Sequence, residues 1–498
     1  MENVNSVGVW SRQMSATSEA DNRDLTRRQA LVAGAGVVAC GLNGFSGQAA
    51  DNQRVDPFHD PTYDAMPQRA DLVKFLTAEA VAGQQQVRRL NGLTVTGLPQ
   101  ALPDLDEQVT RLLRESGIPG AAVAVAKKGR LICTRGYGRA SLVGNVTVEP
   151  TMPACIMSVS KPLTVTAALT LIRDGKLKLD DLALSILKEP PLLAAGQSFD
   201  RRQLNITIRQ LMSHTAGLFN FVEVLNDPAR FGRLSKQGQI RLIHGRIGQN
   251  DLVRIGMGQK LLFTPGHKFA YSGQGMQILA RVVEKVSGWR LDRYIRRFVM
   301  APLGVRSYYV GSYLPAQVYR ALKLPHREQL YDMCPSPYNK EQRRHHALNE
   351  TNPPYFSWGE ADACGWGTMH VIDLLRWVTY YFKLIGPEMS EAAVDRPWVK
   401  NDKGERVQGG MGLGWAVHGG DKGKPTINHA GGKPGQGSIA EHRTSNGASF
   451  AVLANSDDTP HVEKLYDIVR QFARRQKTPA DGAPTWQDYG FAELAFSN

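Results

Sequence analysis

Cysteine is scarce in this sequence, and the few cysteines present are not spaced as metal or redox motifs. The 498 residues include five of them, Cys40, Cys133, Cys155, Cys334 and Cys364, and no two form a C-x-x-C pair. This spacing argues against a zinc-binding or thioredoxin-like framework. A disulfide pairing cannot be read from the spacing, and buried thiols are the expected state for most of the five.

A long run of basic residues is also missing from this sequence. Lys and Arg outnumber Asp and Glu by 60 to 46, but this net charge of +14 is spread along the chain without a long basic tract. No nucleic-acid-binding motif accompanies it, so a nucleic-acid partner is not predicted. The residues His326, Asp332, His345 and His346 lie in the Pro-rich stretch 314–360 without metal-ligand spacing. We therefore predict neither a metal nor a cofactor.

The N-terminal region contains a short apolar run with the features of a targeting signal. Arg27 and Arg28 precede the Gly- and Ala-rich run Ala30–Leu42, which is too short to span a bilayer as a mature helix. Paired arginines before such a run are typical of a twin-arginine export signal. Residues 1–50 are therefore predicted to direct export, with a periplasmic destination.

Two processing sites fit this signal. Gln48-Ala49-Ala50 offers small residues to one peptidase, whereas Val37-Val38-Ala39-Cys40 resembles a lipoprotein site. Processing at the second site would leave a lipid on Cys40, and contact with a membrane is expected only in that case.

The rest of the chain changes from strand patterns to helix patterns and back. Residues 51–100 are predicted to be an irregular lead-in with one or two short helices, and 476–498 a loosely held tail. Between them, 101–475 is predicted to form one domain in three parts: a sheet region at about 101–150, a mostly helical region at about 155–400, and a second sheet region at about 405–475. The expected fold class is α+β, with one antiparallel sheet built from both ends of the chain, flanked by helices and interrupted by the helical insertion.

A Ser-x-x-Lys pattern begins the helical region. Ser158 and Lys161 are three residues apart at the start of a predicted helix, so both side chains lie on one helix face. Such a pair can form a nucleophile, because the amine helps to take the proton of the attacking hydroxyl. A second copy, Ser185 and Lys188, lies in a short segment that ends at two prolines and is interpreted as a surface feature.

Further motifs follow in an order that resembles a known superfamily. They are Ile118-Pro119-Gly120, Gly136-Tyr137-Gly138, Ser158-Val159-Ser160-Lys161, Ser213-His214-Thr215-Ala216-Gly217, Tyr271-Ser272-Gly273 and His429-Ala430-Gly431-Gly432. Between residues 105 and 458 the chain resembles the serine β-lactamase and penicillin-binding-protein-like superfamily. It is most similar to the branch that includes class C β-lactamases, D-alanyl-D-alanine carboxypeptidases and related esterases.

The resemblance implies roles for particular residues. Ser158 would be the nucleophile, and Lys161 and Tyr271 would transfer its proton. The backbone N–H groups of Ser158 and Gly432 would form the oxyanion hole, which stabilises a tetrahedral intermediate. The neighbouring Gly431 has no side chain, so the strand can approach the substrate closely. In relatives the stretch around His214 is structural, and that histidine is not expected to be catalytic.

Two positions depart from the family pattern. Gly273 stands where relatives carry the Asn of a Tyr-x-Asn element, an Asn that contacts both the lysine and the substrate amide. His429-Ala430-Gly431 stands where many relatives have Lys-Thr-Gly. His429 could bind a substrate carboxylate when protonated, or polarise the hydroxyl of Tyr271. The missing Asn leaves the choice between β-lactam, peptide and ester substrates open.

The sequence thus predicts an exported serine hydrolase that forms an acyl-enzyme with an ester, a D-amino-acid peptide or a β-lactam. A small-molecule or peptidoglycan-like substrate is the expected partner. The alternative is a protein of the same fold with weak catalysis that binds cell-wall material or a partner. Covalent labelling of Ser158 distinguishes the two.

Overall fold

The structure of the protein is a computed structural model that describes most of the chain after residue 85. The described residues are 86–98, 101–140, 147–193, 196–220, 242–243, 246–310, 362–365, 367–401, 403–419, 424–433, 436–456, 459–480, 485–486 and 494. All of them belong to a compact unit that spans residues 66–498. The predicted export signal, most of the lead-in, the stretch 314–360, Cys40 and Cys334 lie outside the described residues.

The strands come from both ends of the chain. In order they are β1 (Gln86–Leu90), β2 (Leu93–Gly97), β3 (Gly120–Lys127), β4 (Arg130–Gly138), β5 (Ala154–Cys155), β6 (Leu242–Ile243), β7 (Arg246–Ile247), β8 (Tyr309–Val310), β9 (Gly367–Met369), β10 (Trp398–Lys400), β11 (Arg406–Gln408), β12 (Ala416–His418), β13 (Thr426–Lys433), β14 (Gln436–Arg443) and β15 (Ala448–Ala454).

The largest sheet joins the early strands to the late ones. Its order is β1-β2-β4-β3-β15-β14-β13-β12, and every neighbouring pair is antiparallel. The seam lies between β3 and β15, where Val123 pairs with Val452. The predicted antiparallel sheet built from both ends of the chain is therefore confirmed.

Most of the helices lie between the two groups of strands. They are α1 (Pro103–Ser116), α2 (Ser160–Arg173), α3 (Ala183–Leu187), α4 (Ile208–Met212), α5 (Gln249–Met257), α6 (Gly273–Ser287), α7 (Leu291–Tyr294), α8 (Val371–Thr379), α9 (Tyr381–Ile385), α10 (Pro387–Val394) and α11 (Thr459–Arg475). All but α1 and α11 fall between β4 and β10. The predicted helical insertion is confirmed.

Alternation along β3 divides the core into two layers. Val123 and Val125 face a cluster that includes apolar side chains of α1 and α11, whereas Ala124 and Ala126 face the cluster that contains α8. Successive side chains of a strand point to opposite faces, so each face of the sheet is covered by helices. The alanines leave room for α8 to pack closely on the second face.

The prediction of an irregular lead-in is wrong for residues 86–97. These residues form the hairpin β1–β2, which extends the sheet next to β4. Its turn is Asn91-Gly92, where both residues have positive φ, +50° and +75°, as a two-residue hairpin turn requires. An Asn-Gly pair is a strong hairpin signal in sequence. The polar, weakly alternating strands on either side of it obscured that signal.

The prediction of a loosely held tail is also wrong at Trp486. This side chain is buried, and its indole N–H donates to the carbonyl oxygen of Gly129 at 2.6 Å. The guanidinium of Arg376 lies 5.1 Å from the indole ring centroid, close enough for a cation–π contact. Trp486, together with Leu494, which packs against the same core cluster, therefore anchors this segment to the folded domain.

Other properties follow from the described residues alone. None of their helices is long and apolar enough to cross a membrane. They contain no group of three or more His, Cys, Asp or Glu side chains able to hold a metal ion. Cys133 and Cys364 are buried thiols, as expected, and burial raises the pKa of Cys133 to about 12.

Candidate active site

The candidate nucleophile lies in a tight turn at the start of α2. Met157–Val159 form one turn of 3₁₀ helix that continues into α2. Met157 has φ of +50°, a strained conformation for a residue with a side chain. The turn is held from two sides, because Ser438 donates to the carbonyl of Ile156 at 2.7 Å and the N–H of Ile156 donates to Gly367 at 2.9 Å. Ser158 is therefore fixed between a helix N-terminus and the sheet.

Lys161 contacts Ser158 directly. Its Nζ donates to Ser158 Oγ at 2.9 Å and to the carbonyl oxygen of Cys364 at 2.8 Å. The lysine side chain is buried, whereas Ser158 is partly exposed. This arrangement shields the amine from water, as a proton-transfer partner requires. It leaves the hydroxyl accessible to a substrate, as a nucleophile requires.

Tyr271 completes a compact group around the same amine. Lys161 Nζ lies 4.7 Å from the Tyr271 ring centroid. On the other side, the Tyr271 hydroxyl is 3.5 Å from His429 Nε2. Four predicted residues are thus brought together from the 3₁₀ turn, α2, the loop before α6 and strand β13, namely Ser158, Lys161, Tyr271 and His429.

The tautomer of His429 follows from its neighbours. Its Nδ1 lies 2.6 Å from the carbonyl oxygen of Ala430, and because a carbonyl can only accept, Nδ1 donates. Nε2 is then left with a lone pair that faces the Tyr271 hydroxyl. Burial, together with the charge of Lys161, lowers the pKa of His429 to about 3. At neutral pH this histidine is an uncharged acceptor.

The two glycines of β13 have different surroundings. A Cβ on Gly431 would lie 2.6 Å from Ser438 Oγ, 2.7 Å from Met157 Cβ and 2.8 Å from the Ile156 carbonyl oxygen. Any side chain there would push the strand away from the nucleophile turn. A Cβ on Gly432 would meet nothing closer than Gln436 at 3.9 Å. Gly431 therefore allows close packing, and Gly432 leaves one side of the strand open to a ligand.

The second Ser-x-x-Lys pair lies outside this group, as predicted. Ser185 is exposed on the short helix α3, and Lys188 is an exposed residue in the left-handed conformation at its end. The identical spacing of the two pairs therefore has different consequences, because only the first serine lies in a turn held against the sheet, through Ser438.

The segment 362–365 contributes a group that sequence reasoning missed. Besides the Cys364 carbonyl that accepts from Lys161, this segment is tied to α2 by Thr164, which donates to the carbonyl of Ala363 at 2.8 Å. It is tied to α6 by an ion pair of 2.7 Å between Asp362 and Arg281. A main-chain acceptor has no side-chain signature, so no sequence pattern identified it.

Gly273 stands in place of the family's Asn, and only one of the two contacts of that Asn has a substitute here. Gly273 is the first residue of α6 and is buried. It has no side chain to offer Lys161, and the Cys364 carbonyl supplies an acceptor to that amine instead. The contact that relatives make with the substrate amide has no counterpart at Gly273.

The fold places the protein among penicillin-binding and amidase structures. The octameric penicillin-binding protein homologue from Pyrococcus abyssi has a TM-score of 0.53 with 20% identity, over 75% of this chain and 78% of that chain. The D-amino acid amidase from Ochrobactrum anthropi SV3 in complex with L-phenylalanine has a TM-score of 0.55 with 16% identity, over 74% and 98%. At these identities the likeness establishes the shared fold alone.

The sequence comparison then gives the family. Residues 105–474 match the family model described as Beta-lactamase. The chain belongs to the beta-lactamase family, a family of serine hydrolases. Protein flp from Staphylococcus aureus strain COL is 26% identical over 199 residues, which are 40% of this chain and 36% of that protein. The match therefore spans only about a third of that curated relative.

Proposed function

We propose that this protein is a hydrolase that attacks a carbonyl carbon with Ser158 and forms an acyl-enzyme. The single observation that carries this proposal is the hydrogen bond of 2.9 Å between Lys161 Nζ and Ser158 Oγ in a buried site next to Tyr271. A serine hydroxyl becomes an effective nucleophile when a neighbouring group takes its proton. Family membership supports the same reaction class.

The proposed reaction has two stages. Ser158 Oγ forms a bond to the substrate carbonyl carbon, and its proton is carried by Lys161 and Tyr271 to the leaving group. When the bond to the leaving group breaks, the acyl group remains on Ser158. Water then attacks this ester, gives a proton back to the serine oxygen through the same pair, and releases the acid. In both stages the N–H groups of Ser158 and Gly432 would stabilise the negative oxygen.

Tyr271 is proposed as the group that passes the proton onward. Its ring covers the amine of Lys161, and its hydroxyl faces the lone pair of neutral His429. An acceptor at that position orients the hydroxyl and stabilises partial positive charge on its hydrogen. This geometry favours the second of the two sequence-based hypotheses for His429, polarisation of Tyr271.

The preferred substrate is proposed to be an ester or amide without a carboxylate near the scissile bond. Where many relatives carry the lysine of Lys-Thr-Gly, this chain has a buried, neutral histidine. This histidine therefore carries no positive charge that could bind a substrate carboxylate. The Ochrobactrum anthropi structure that shares the fold is a D-amino acid amidase, which supports an amide. Hydrolysis assays with a panel of esters, D-amino-acid amides and β-lactams would identify which of these the protein cleaves.

Covalent labelling tests the proposal. The purified protein is incubated with a fluorophosphonate and, separately, with a fluorescent penicillin, and peptide mass spectrometry locates the adduct. We expect the fluorophosphonate adduct on Ser158, loss of labelling in Ser158→Ala, and full labelling in the matched control Ser185→Ala. The control changes the serine of an identical motif that lies on the surface.

Two outcomes would decide against the enzyme proposal. No adduct on Ser158 with either probe would favour the alternative, a beta-lactamase-fold protein that binds cell-wall material without turnover. Full hydrolysis of a p-nitrophenyl ester by Ser158→Ala would place the nucleophile elsewhere.

We further propose that the protein is exported through the twin-arginine route to the periplasm. The support is the pair Arg27-Arg28 before the apolar run Ala30–Leu42. Replacement of both arginines by lysine should retain the protein in the cytoplasm when cells are fractionated. Unchanged export of that variant would overturn the proposal, and labelling with palmitate would show whether Cys40 is lipidated.

A further inference from the structure

His214 holds the backbone on both sides of Tyr271. Its carbonyl oxygen accepts the N–H of Ala270 at 2.9 Å, and its Nδ1 accepts the N–H of Ser272 at 3.1 Å. The His214 and Tyr271 rings also pack together, with centroids 4.6 Å apart and an interplanar angle of 35°. One residue therefore contacts the tyrosine ring and the residues on both sides of it.

The conformation of His214 is unusual in a way that serves these contacts. Its φ is +57°, and its side chain is 2% exposed. A non-glycine residue remains in this strained region only where its surroundings determine it. Because Nδ1 accepts from Ser272, the ring hydrogen is on Nε2, and no group in the described part of the chain accepts it. Packing of the loop alone does not account for a strained residue with a buried, unsatisfied donor.

The ring is neutral under ordinary conditions. Burial, and after it the positive charge of Lys161, lower the pKa of His214 well below its usual value. A neutral ring keeps the lone pair on Nδ1 with which it accepts from Ser272. The contact with the backbone of Tyr271 is therefore maintained throughout the working range of pH.

The loop before α6 has other attachments that do not involve His214. The N–H of Gly266 donates to the carbonyl of Thr215 at 2.8 Å, and the N–H of Leu262 donates to the carbonyl of Gly217, also at 2.8 Å. The hydroxyl of Ser272 donates to the carbonyl of Phe219 at 2.7 Å. These bonds fix the course of the loop without His214. The contacts of His214 therefore determine the position of Tyr271 within that loop.

We propose that His214 is a positioning residue that holds the ring of Tyr271 over the Lys161 amine and its hydroxyl against His429. This inference rests on the proposed function, in which Tyr271 transfers the serine proton. A displacement of about 1 Å in a reacting group can lower a rate by about 100-fold. Replacement of His214 should therefore lower kcat, and it should do so only when the Tyr271 hydroxyl is present.

Two substitutions separate positioning from simple packing. Asn tolerates a positive φ and carries an acceptor that can replace Nδ1, whereas Gly tolerates the same φ but has no acceptor or ring. We expect His214→Gly to lower kcat for the best panel substrate by about 100-fold with KM changed less than threefold. His214→Asn should restore most of this loss and remain within about tenfold of the wild type.

A double-mutant cycle with Tyr271→Phe provides the decisive readout. If His214 acts through the tyrosine hydroxyl, His214→Gly should lower kcat by less than about threefold once that hydroxyl is gone. A similar loss in both backgrounds would overturn the proposal, as would an Asn variant as impaired as the Gly variant or a Gly variant with wild-type kcat. If the Gly variant does not fold, the cycle is built on His214→Asn, and an additive loss overturns the proposal in the same way.

The control is His442→Asn. His442 is a largely buried histidine whose Nδ1 bonds Ser449 Oγ at 2.8 Å between β14 and β15. Its replacement should change the melting temperature but not kcat. Persistence of full activity in Ser158→Ala would instead overturn the proposed function, and so the two failures are distinguishable.

Discussion

The Nζ atom of Lys161 donates a hydrogen bond of 2.8 Å to the main-chain oxygen of Cys364, a residue 203 positions further along the chain. This contact joins the start of α2 to a segment held by the buried pair Arg281–Asp362. The orientation of the amine therefore depends on side chains that do not touch the candidate nucleophile.

Asp362→Asn should weaken both the fold and the reaction. The change removes one carboxylate from the buried Arg281, which keeps its ion pair with Glu284 at 3.0 Å, and loss of one partner from a buried ion pair typically costs about 3 kcal/mol. The segment that presents the Cys364 carbonyl should shift, and kcat should fall by about tenfold. Urea unfolding and ester hydrolysis measure the two effects.

The matched control for Asp362→Asn is Asp180→Asn. It breaks the pair between Arg209 and Asp180, which is formed by exposed side chains, and such pairs contribute little. Equal losses of stability in the two variants would contradict the importance of the buried pair.

Gly431→Ala should disrupt the site through backbone displacement. Its Cβ would contact Met157 Cβ and the Ile156 carbonyl oxygen at less than 3 Å, so β13 must move away from the nucleophile turn. We expect a loss of about 1–3 kcal/mol in unfolding free energy and a fall of about 100-fold in kcat. Gly432→Ala, with nothing closer than 3.9 Å, should unfold at the wild-type urea concentration. A stable, fully active Gly431→Ala variant would rule out this account of the packing.

Tyr271→Phe should lower kcat by about 10²- to 10⁴-fold, the range of general acid–base catalysis. Phe keeps the ring that covers Lys161 and removes the hydroxyl that faces His429. The melting temperature should change little. Near-normal turnover would leave Lys161 as the proton acceptor without assistance from the tyrosine.

Stability should fall as the solution is acidified from about pH 6.5, the ordinary pKa of histidine, towards pH 4. Burial lowers the pKa of His429 to about 3 and that of His442 to about 4. Below pH 6.5 the unfolded chain therefore binds protons that the folded chain does not, and the free energy of unfolding decreases. His442→Phe should reduce this slope in urea unfolding measured from pH 7 to pH 4.5. An unchanged slope would show that His442 titrates normally.

Local sequence signals predicted much of the sheet. The β3–β4 hairpin turns at Lys128-Gly129, where both residues have positive φ, and it lies in the region predicted to form sheet. Asn91-Gly92 would have indicated β1–β2 had its polar flanks not obscured the alternation. Trp486 was missed for a different reason, because a buried side chain in a segment without regular alternation carries no periodic signal. Residue periodicity alone also did not give the strand order, since the pairing of β3 with β15 depends on contacts distant in sequence.

The site was predictable only through the resemblance. Spacing alone could not distinguish Ser158 from Ser185, and it was the order of the motifs that favoured the first. The structure brings Tyr271 and His429 together with Lys161, yet the catalytic roles of these residues stay predictions until the variants are measured. The contributions of His214 and Cys364 depend on a backbone dihedral angle and a main-chain oxygen, and neither is encoded by a side-chain pattern.

The seam between β3 and β15 has a consequence for how the protein is made. The centre of the sheet is completed by residues 448–454, which pair with residues 121–127 more than 300 positions earlier. During synthesis the apolar strand β3 has one unpaired edge until β15 has emerged from the ribosome. Such distant pairing slows folding, and an exposed apolar edge invites aggregation. Chaperone supply and a slow rate of translation should therefore determine the soluble yield.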